Sequence, residues 1–385
     1  MFKDFLEFIF RSNIISKLFI INFGFLFIKK KKIDLKKHSI ISKKDIIKFK
    51  PQCLFYLKGY SSGTTNKPLT VYRSIRSIIA EEYFTSKFQY SKTKIISPKI
   101  AVIRGELIVD SNVTKPPFWK IKPFSRKLVM SCHHLSEQNI PYYFSELEKF
   151  KPDIIQAYPN SIYLLAKTAL RIKWRPNWEL KAVFTSSEKF TKKNFLIVKK
   201  VFKNVFDIYG QAERVARFHL CENLKYHILD NYSYVEFKKE NKNYKIIGSN
   251  FSNAAMPLYR YDTGDYVSKL PKKNCKCGLK SRFVDDIIGR NDDFIKLSDG
   301  RILTRIDGLF KNFNEILEAQ IIQDKINSIK IFYVGNSEIK SNLIENKIKF
   351  KFREILDKKI KIEIKRLKKI PRNKSGKFQS VISLI

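Results

Sequence analysis

Between residues 150 and 213, short apolar runs alternate with helical patterns, and this alternation restricts the fold more than any other feature of the chain. "PDIIQAYP" reads as a strand ended by a Pro turn, and "SIYLLAKTALRI" places Ile162, Leu165, Ala166, Ala169 and Leu170 on one helical face. "LKAVFTSSE" is a second strand, "TKKNFLIVKKVF" a second helix with Thr191 as its N-cap, and "NVFDIYGQAE" a third strand ending in glycine. Strand, helix, strand, helix, strand predicts an α/β layer with a parallel sheet. Ligands of such sheets bind beyond the carboxyl ends of the strands. All three strands end there in polar residues: Tyr158 and Asn160, then Ser186, Ser187 and Glu188, then Tyr209, Gln211 and Glu213.

After residue 225 the texture changes to alternating segments such as "YSYVEFKK" and "YKIIGSNFS", the pattern of antiparallel strands. The final stretch reads as a small α+β unit. "FIKLSDGRILT" is a hairpin with an Asp299-Gly300 turn, and "SIKIFYVG" and "KIKIEIKRL" are strands around the helical "IENKIKFKFREIL". The expected division is a large domain over 1–291, opening with a helical segment over 1–50, and a small domain over 292–385, joined by a tight hinge at "GRNDDF".

The formal net charge is +40, a value that raises the question of a polyanion partner. The basic residues are mostly Lys, spread from Lys3 to Lys377 among abundant Ile, Asn and Phe. That is a chain-wide bias, so nucleic acid is not an expected partner. The five cysteines are too few and too unevenly spaced for a disulfide scaffold, which fits a reducing, cytoplasmic setting. "LFIINFGFLFI" (18–28) is shorter than the roughly 20 residues of a spanning helix. It is followed by "KKKKIDLKK" and by no cleavage site for a signal peptide. It reads as an amphipathic helix packed on the main body, with peripheral membrane contact through this segment and its lysines as the alternative.

"YSSGTTNKPL" (60–69) follows an apolar-leaning segment and concentrates hydroxyls around one glycine and one lysine. Hydroxyls and backbone N–H groups of such a loop can wrap phosphate oxygens while Lys supplies counter-charge. The loop does not fit the Walker A spacing. Alone, it is equally well a solvated polar loop.

In their order along the chain these segments resemble the adenylate-forming (acyl-AMP) enzymes, within them the phenylacetate-coenzyme A ligase and CapK-like capsule-biosynthesis branch. "SSGTTNKPL" is similar to that family's phosphate loop, with Asn66 where Gly is usual. "PDIIQAYPNSIYLLA" and "LKAVFTSSEKF" resemble its two central blocks, and "VFDIYGQAERVA" its Tyr-Gly-x-x-Glu motif. "NAAMPLYRYDTGD" is similar to the ribose-binding block, "IIGRNDDFI" to the hinge and "IPRNKSGKF" to the block of the catalytic lysine. The resemblance covers about residue 51 to the end.

It implies a large adenylate-forming domain with parallel and antiparallel sheets and a small mobile α+β domain, ATP and Mg²⁺ as cofactors, and attack of a small-molecule carboxylate on the α-phosphorus. Ser61, Ser62, Gly63, Thr64, Thr65 and Lys67 would cradle the β and γ phosphates, and Glu213 would hold Mg²⁺. Tyr209, with Ser187 and Glu188, would flank the adenine, and Gly210 and Gln211 would be further cofactor-binding positions. Asp265 would accept from the ribose hydroxyls, Arg290 would contact the nucleotide from the hinge, and Asp292 would be the pivot. Lys377 would reach the α-phosphate and the acyl oxygen. The acyl group would pass to coenzyme A or to another thiol, amine or hydroxyl acceptor, with capsule or surface-polysaccharide assembly as one setting.

"CENLKYH" and "CKCGL" supply Cys221, His227, Cys275 and Cys277, a Cys₃His set suited to a tetrahedral structural zinc. As reduced buried thiols the same cysteines need no metal. In "SCHHLS", His133 or His134 is a candidate for orienting the carboxylate or assisting the acceptor, beside the plainer reading of a packed structural histidine. Tyr142, Tyr143 and Tyr158 hint at an aromatic-friendly acyl site. A non-catalytic homologue acting as a basic binding or scaffold protein remains the reading from a different class, motivated by Asn66 and a short N-terminal part.

Overall fold

The alternation over 150–213 builds the centre of a nine-stranded sheet. The computed structural model describes residues 14–28, 34–60, 69–104, 108–109, 113, 115–122, 125–271, 274–290, 294–296, 302–304, 310, 313, 315–335, 340–353, 356, 360–372 and 378–385. In chain order, α1 (Ile14–Phe23) precedes the antiparallel hairpin of β1 (Tyr56–Tyr60) and β2 (Thr70–Ser74), which leads into α2 (Ile75–Thr93). Next come β3 (Ile100–Arg104), β4 (Trp119–Lys122), β5 (Lys127–Ser131) and α3 (Ile140–Phe150). The α/β core then runs β6 (Ile154–Ala157), α4 (Pro159–Arg171), β7 (Ala182–Ser186), α5 (Lys192–Phe202) and β8 (Val205–Gly210), continued by β9 (Arg217–Leu220) and β10 (Tyr226–Ile228).

β3 pairs in parallel with β5 and β6, β6 with β7, and β7 with β8, as the alternation requires. Pro159 opens α4 where its missing N–H costs nothing. Thr191 caps α5 by accepting from the Asn194 N–H at 3.2 Å. Ile162, Leu165, Ala166 and Ala169 are fully buried, and Leu170 packs at the edge of the same core.

A second, antiparallel sheet contains β11 (Ser233–Glu240), β12 (Asn243–Asn250) and β13 (Tyr261–Val267). β14 (Phe283–Val284) returns to the large sheet beside β10, and β15 (Ile287–Arg290) joins β13. Gly248 of β12 lies so close to the chain after Glu213 that a Cβ there would come to 2.2 Å from the Val215 carbonyl oxygen. β16 (Phe294–Lys296) and β17 (Ile302–Thr304) pair as a hairpin. Beyond them, β18 (Ile316–Lys325), β19 (Ser328–Gly335), α6 (Ser341–Arg353), β20 (Lys361–Arg366) and β21 (Val381–Ser383) form a four-stranded mixed sheet around its own apolar core.

The N-terminal segment differs from expectation. Ile20 and Gly24 are buried and the segment packs on α2, but its outer face is apolar: Phe19, Phe23, Phe25 and Leu26 are 50–64% exposed. No described helix is long and apolar enough to cross a membrane.

Candidate active site

The carboxyl ends of β6, β7 and β8 open onto a cleft of about 1130 Å³. Ser187, Glu188, Tyr209, Gly210, Gln211, Glu213 and Asp265 all line it, so residues drawn from three separate sequence blocks meet at one opening. The backbone of Arg290 in β15 stands opposite Asp265 in β13. Ser61, Ser62, Gly63, Thr64, Thr65, Asn66, Lys67, Asp292 and Lys377 lie outside the described residues.

The Tyr209 hydroxyl donates to Asp265 Oδ2 at 2.8 Å, joining the end of β8 to β13. Burial and the neighbouring Asp265 carboxylate push the Tyr209 phenol well above its ordinary pKa, so it stays a neutral donor. The Asp265 N–H donates to Thr263 Oγ1 at 3.1 Å, which helps fix the backbone from which the carboxylate projects. Glu213 is 4% exposed and accepts from the Tyr261 hydroxyl at 3.2 Å. Gln211 accepts from the Ala216 N–H at 3.2 Å, which tightens the turn that presents Glu213.

Ser187 takes a left-handed φ of 75°, a conformation that costs a non-glycine residue energy and marks a constrained turn. The turn aims Glu188 across the cleft. Glu188 Oε2 accepts from the Asn160 N–H at the start of α4 (3.0 Å), where the helix dipole favours a carboxylate, and Oε1 accepts from the Phe378 N–H (2.8 Å). Phe378 follows Lys377 directly in the chain, so the C-terminal segment is anchored at the cleft by a residue expected only to flank the adenine.

A buried pair beside it escaped the sequence reading altogether. Arg372 pairs with Glu318, their side chains 3% and 4% exposed, and the Asn160 side-chain amide donates to the same Glu318 oxygen at 2.5 Å. Lys167 of α4 donates to the Ile316 carbonyl, and burial lowers its pKa to about 8. These bonds tie α4 to β18 across 149–158 residues of sequence, with no local motif to announce them.

Cys221, His227, Cys275 and Cys277 converge, with one ligand atom from each lying within 4.8 Å of all the others. Cys221 Sγ is 3.8 Å from Cys275 Sγ, and Cys277 Sγ is 3.2 Å from His227 Nε2. Sulfurs bound about 2.3 Å from one tetrahedral zinc stand roughly 3.8 Å apart, so the set fits that ion. His227 Nδ1 meets Ser281 Oγ at 2.9 Å, the outer contact that orients a ligating imidazole.

His134 is the packed histidine of the plainer reading, stacked on Phe118 with Nδ1 2.8 Å from Ser131 Oγ, and neither it nor His133 lines the cleft. Of the three tyrosines, only Tyr158 reaches the cleft; Tyr143 is fully buried with its hydroxyl on the Ser131 carbonyl, and Tyr142 is half exposed elsewhere.

Comparison with known proteins agrees with this geometry. Residues 295–384 match the family model described as the CapK C-terminal domain. Over 339 residues the chain is 25% identical to Protein CapK of Staphylococcus aureus, covering 86% of this chain and 74% of that protein. The chain is thus similar to Protein CapK over most of its length, and its C-terminal part matches the CapK C-terminal domain. Its fold is that of solved adenylate-forming ligases. A 2-hydroxyisobutyryl-CoA ligase in its postadenylation state with 2-HIB-AMP matches with a TM-score of 0.64 and 12% identity, covering 99% of this chain and 87% of that one. An anthranilate CoA ligase in complex with anthranoyl-AMP matches with a TM-score of 0.52 and 14% identity, covering 83% and 65% of the two chains. The chain therefore shares its fold with enzymes solved with acyl-adenylates bound.

Proposed function

We propose that this protein activates a small-molecule carboxylate with ATP and passes the acyl group to coenzyme A or to an amine or hydroxyl acceptor. The carboxylate oxygen attacks the α-phosphorus, the bond to the β-phosphate breaks, and acyl-AMP and pyrophosphate result. The acceptor then attacks the acyl carbonyl and AMP departs. ATP brings the leaving group, and Mg²⁺ offsets the negative charge of its phosphates.

The observation that carries this reading is the convergence of Tyr209, Asp265, Glu213 and Glu188 on one cleft, with Phe378 bonded to Glu188. Asp265 is suited to accept from ribose hydroxyls, and the Tyr209 ring beside it gives a nucleobase an apolar face. Glu213 is a hard oxygen donor for Mg²⁺. Lys377, one residue before Phe378, supplies an ammonium for charge that grows on the acyl and α-phosphate oxygens in the transition state. Ser61, Ser62, Gly63, Thr64, Thr65 and Lys67 serve the β and γ phosphates, Arg290 contacts the nucleotide from the hinge, and Asp292 is the pivot. Capsule or surface-polysaccharide assembly is the proposed setting, in keeping with the CapK relative.

The Cys₃His set binds a structural zinc that closes β9, β10 and the 275–278 turn into one unit. The apolar outer face of α1, followed in the sequence by four lysines at 29–32, suits an anionic membrane, so a cytoplasmic protein in peripheral membrane contact is the proposed location. Pyrophosphate release with ATP, Mg²⁺ and a panel of aryl, aliphatic and amino acids tests the activity. Release with one acid class is expected; no release and no ATP binding would favour a scaffold role.

A further inference from the structure

Arg73 is a cation in want of a counter-ion. It lies on β2 and lines the cleft, yet among the described residues it makes no ion pair. Its Nε is buried with no hydrogen-bond partner among the described residues, and its Nη2 makes a long 3.4 Å bond to the Ala212 carbonyl, one residue before Glu213. The carboxylate that could have neutralised it is occupied. Glu81 accepts from Arg217 Nη1, pairs with Arg214 Nε at 3.6 Å and accepts from the Tyr232 hydroxyl. Two guanidinium groups thus already share that carboxylate, and the Arg73 charge acts on it only through space. Burial and the neighbouring Arg214 lower the Arg73 pKa to about 10, which still leaves it charged at neutral pH.

A partly buried charge whose Nε is fully buried without a partner is retained at a cost unless a ligand completes it. The Arg73 guanidinium lies over Gly59, where a Cβ would come to 2.8 Å from Cζ, so β1 leaves room for the planar group at this end of the cleft. A guanidinium fork accepts carboxylate or phosphate oxygens two at a time. With Glu213 close by as the proposed Mg²⁺ ligand, the anion that answers both charges is a magnesium-bound polyphosphate.

We propose that Arg73 is a phosphate-binding residue that receives the β and γ phosphates of MgATP and holds pyrophosphate as it leaves. The assignment rests on the adenylation reading. Calorimetric titration of magnesium pyrophosphate and, separately, AMP into the full chain tests it, using wild type, Arg73→Met and Arg73→Lys. In Arg73→Met, pyrophosphate binding should weaken by about 10- to 100-fold, the scale of losing a charge-assisted hydrogen bond, with AMP affinity changed less than about twofold. Arg73→Lys should recover part of the loss. The melting temperature of Arg73→Met should hold or rise, because an uncompensated cation has been removed. A structural arginine would instead lower it.

Unchanged pyrophosphate affinity in Arg73→Met overturns the proposal and points to a second anionic group on the acyl substrate. Equal loss of AMP and pyrophosphate, or a lowered melting temperature, also overturns it. A wild type that binds AMP but not pyrophosphate overturns the Arg73 assignment alone; one that binds neither overturns the adenylation reading too.

Discussion

Burial would raise the pKa of Glu81, yet Arg217 and Arg214 outweigh it and Tyr232 adds a hydrogen bond, so the carboxyl is held at about 2. Its side chain is 27% exposed, and the Arg217 side chain beside it is 4% exposed. A folded pKa below the unfolded value means that the ionised group contributes stability at neutral pH. That contribution is lost as pH falls from about 4.5 through about 2. Glu81→Gln should therefore cost roughly 3 kcal/mol at pH 7, and the gap to wild type should close on acidification across that window. Chemical denaturation at pH 7 and pH 3 checks this; a pH-independent gap would mean that packing, not charge, sets the cost. Nothing local in the sequence announces this residue. Glu81 and Arg217 are 136 positions apart, and a lone Glu on a helix normally faces solvent.

At the scale of elements, legibility followed periodicity. β6, β7, β8, α4 and α5 were readable because a buried parallel strand needs a continuous apolar run and a core-facing helix needs a 3.6-residue stripe. The polar residues ending those strands fell at the cleft for the same reason. Glu318, Arg372 and Asn160 were not readable as a cluster, since only the packing of α4 against β18 makes them one. The four metal-type ligands were readable from residue type and spacing, and β9, β10 and the 275–278 turn bring them together. Cys277→Ala is expected to lower zinc content from about one equivalent to near zero and to reduce the melting temperature, as loss of a structural zinc does. Elemental analysis of freshly purified wild type and variant checks it; a wild type without metal would leave three reduced thiols and an imidazole packed together.

For the whole molecule, the chain-wide +40 charge is joined at the N-terminal end by an exposed apolar helix face. Apolar burial gives affinity and lysines near an anionic surface add about 1 kcal/mol each, an attraction that salt screens. The protein should sediment with vesicles containing anionic phosphatidylserine in low salt and much less with neutral vesicles. Phe19→Ser with Phe23→Ser should reduce binding to the anionic vesicles at unchanged net charge. Equal binding of that variant would assign the effect to charge alone.

The remaining whole-molecule property is the closure of the C-terminal segment on the cleft, through Phe378 on Glu188 and Arg372 on Glu318. Carboxylate-dependent exchange of labelled pyrophosphate into ATP reads the chemistry that this closure is proposed to serve. Wild type should exchange with one class of acid, and Lys377→Ala should be slower by at least ~10²-fold, the scale of losing one preorganised donor, while still binding ATP. Exchange at the wild-type rate in Lys377→Ala would contradict the account.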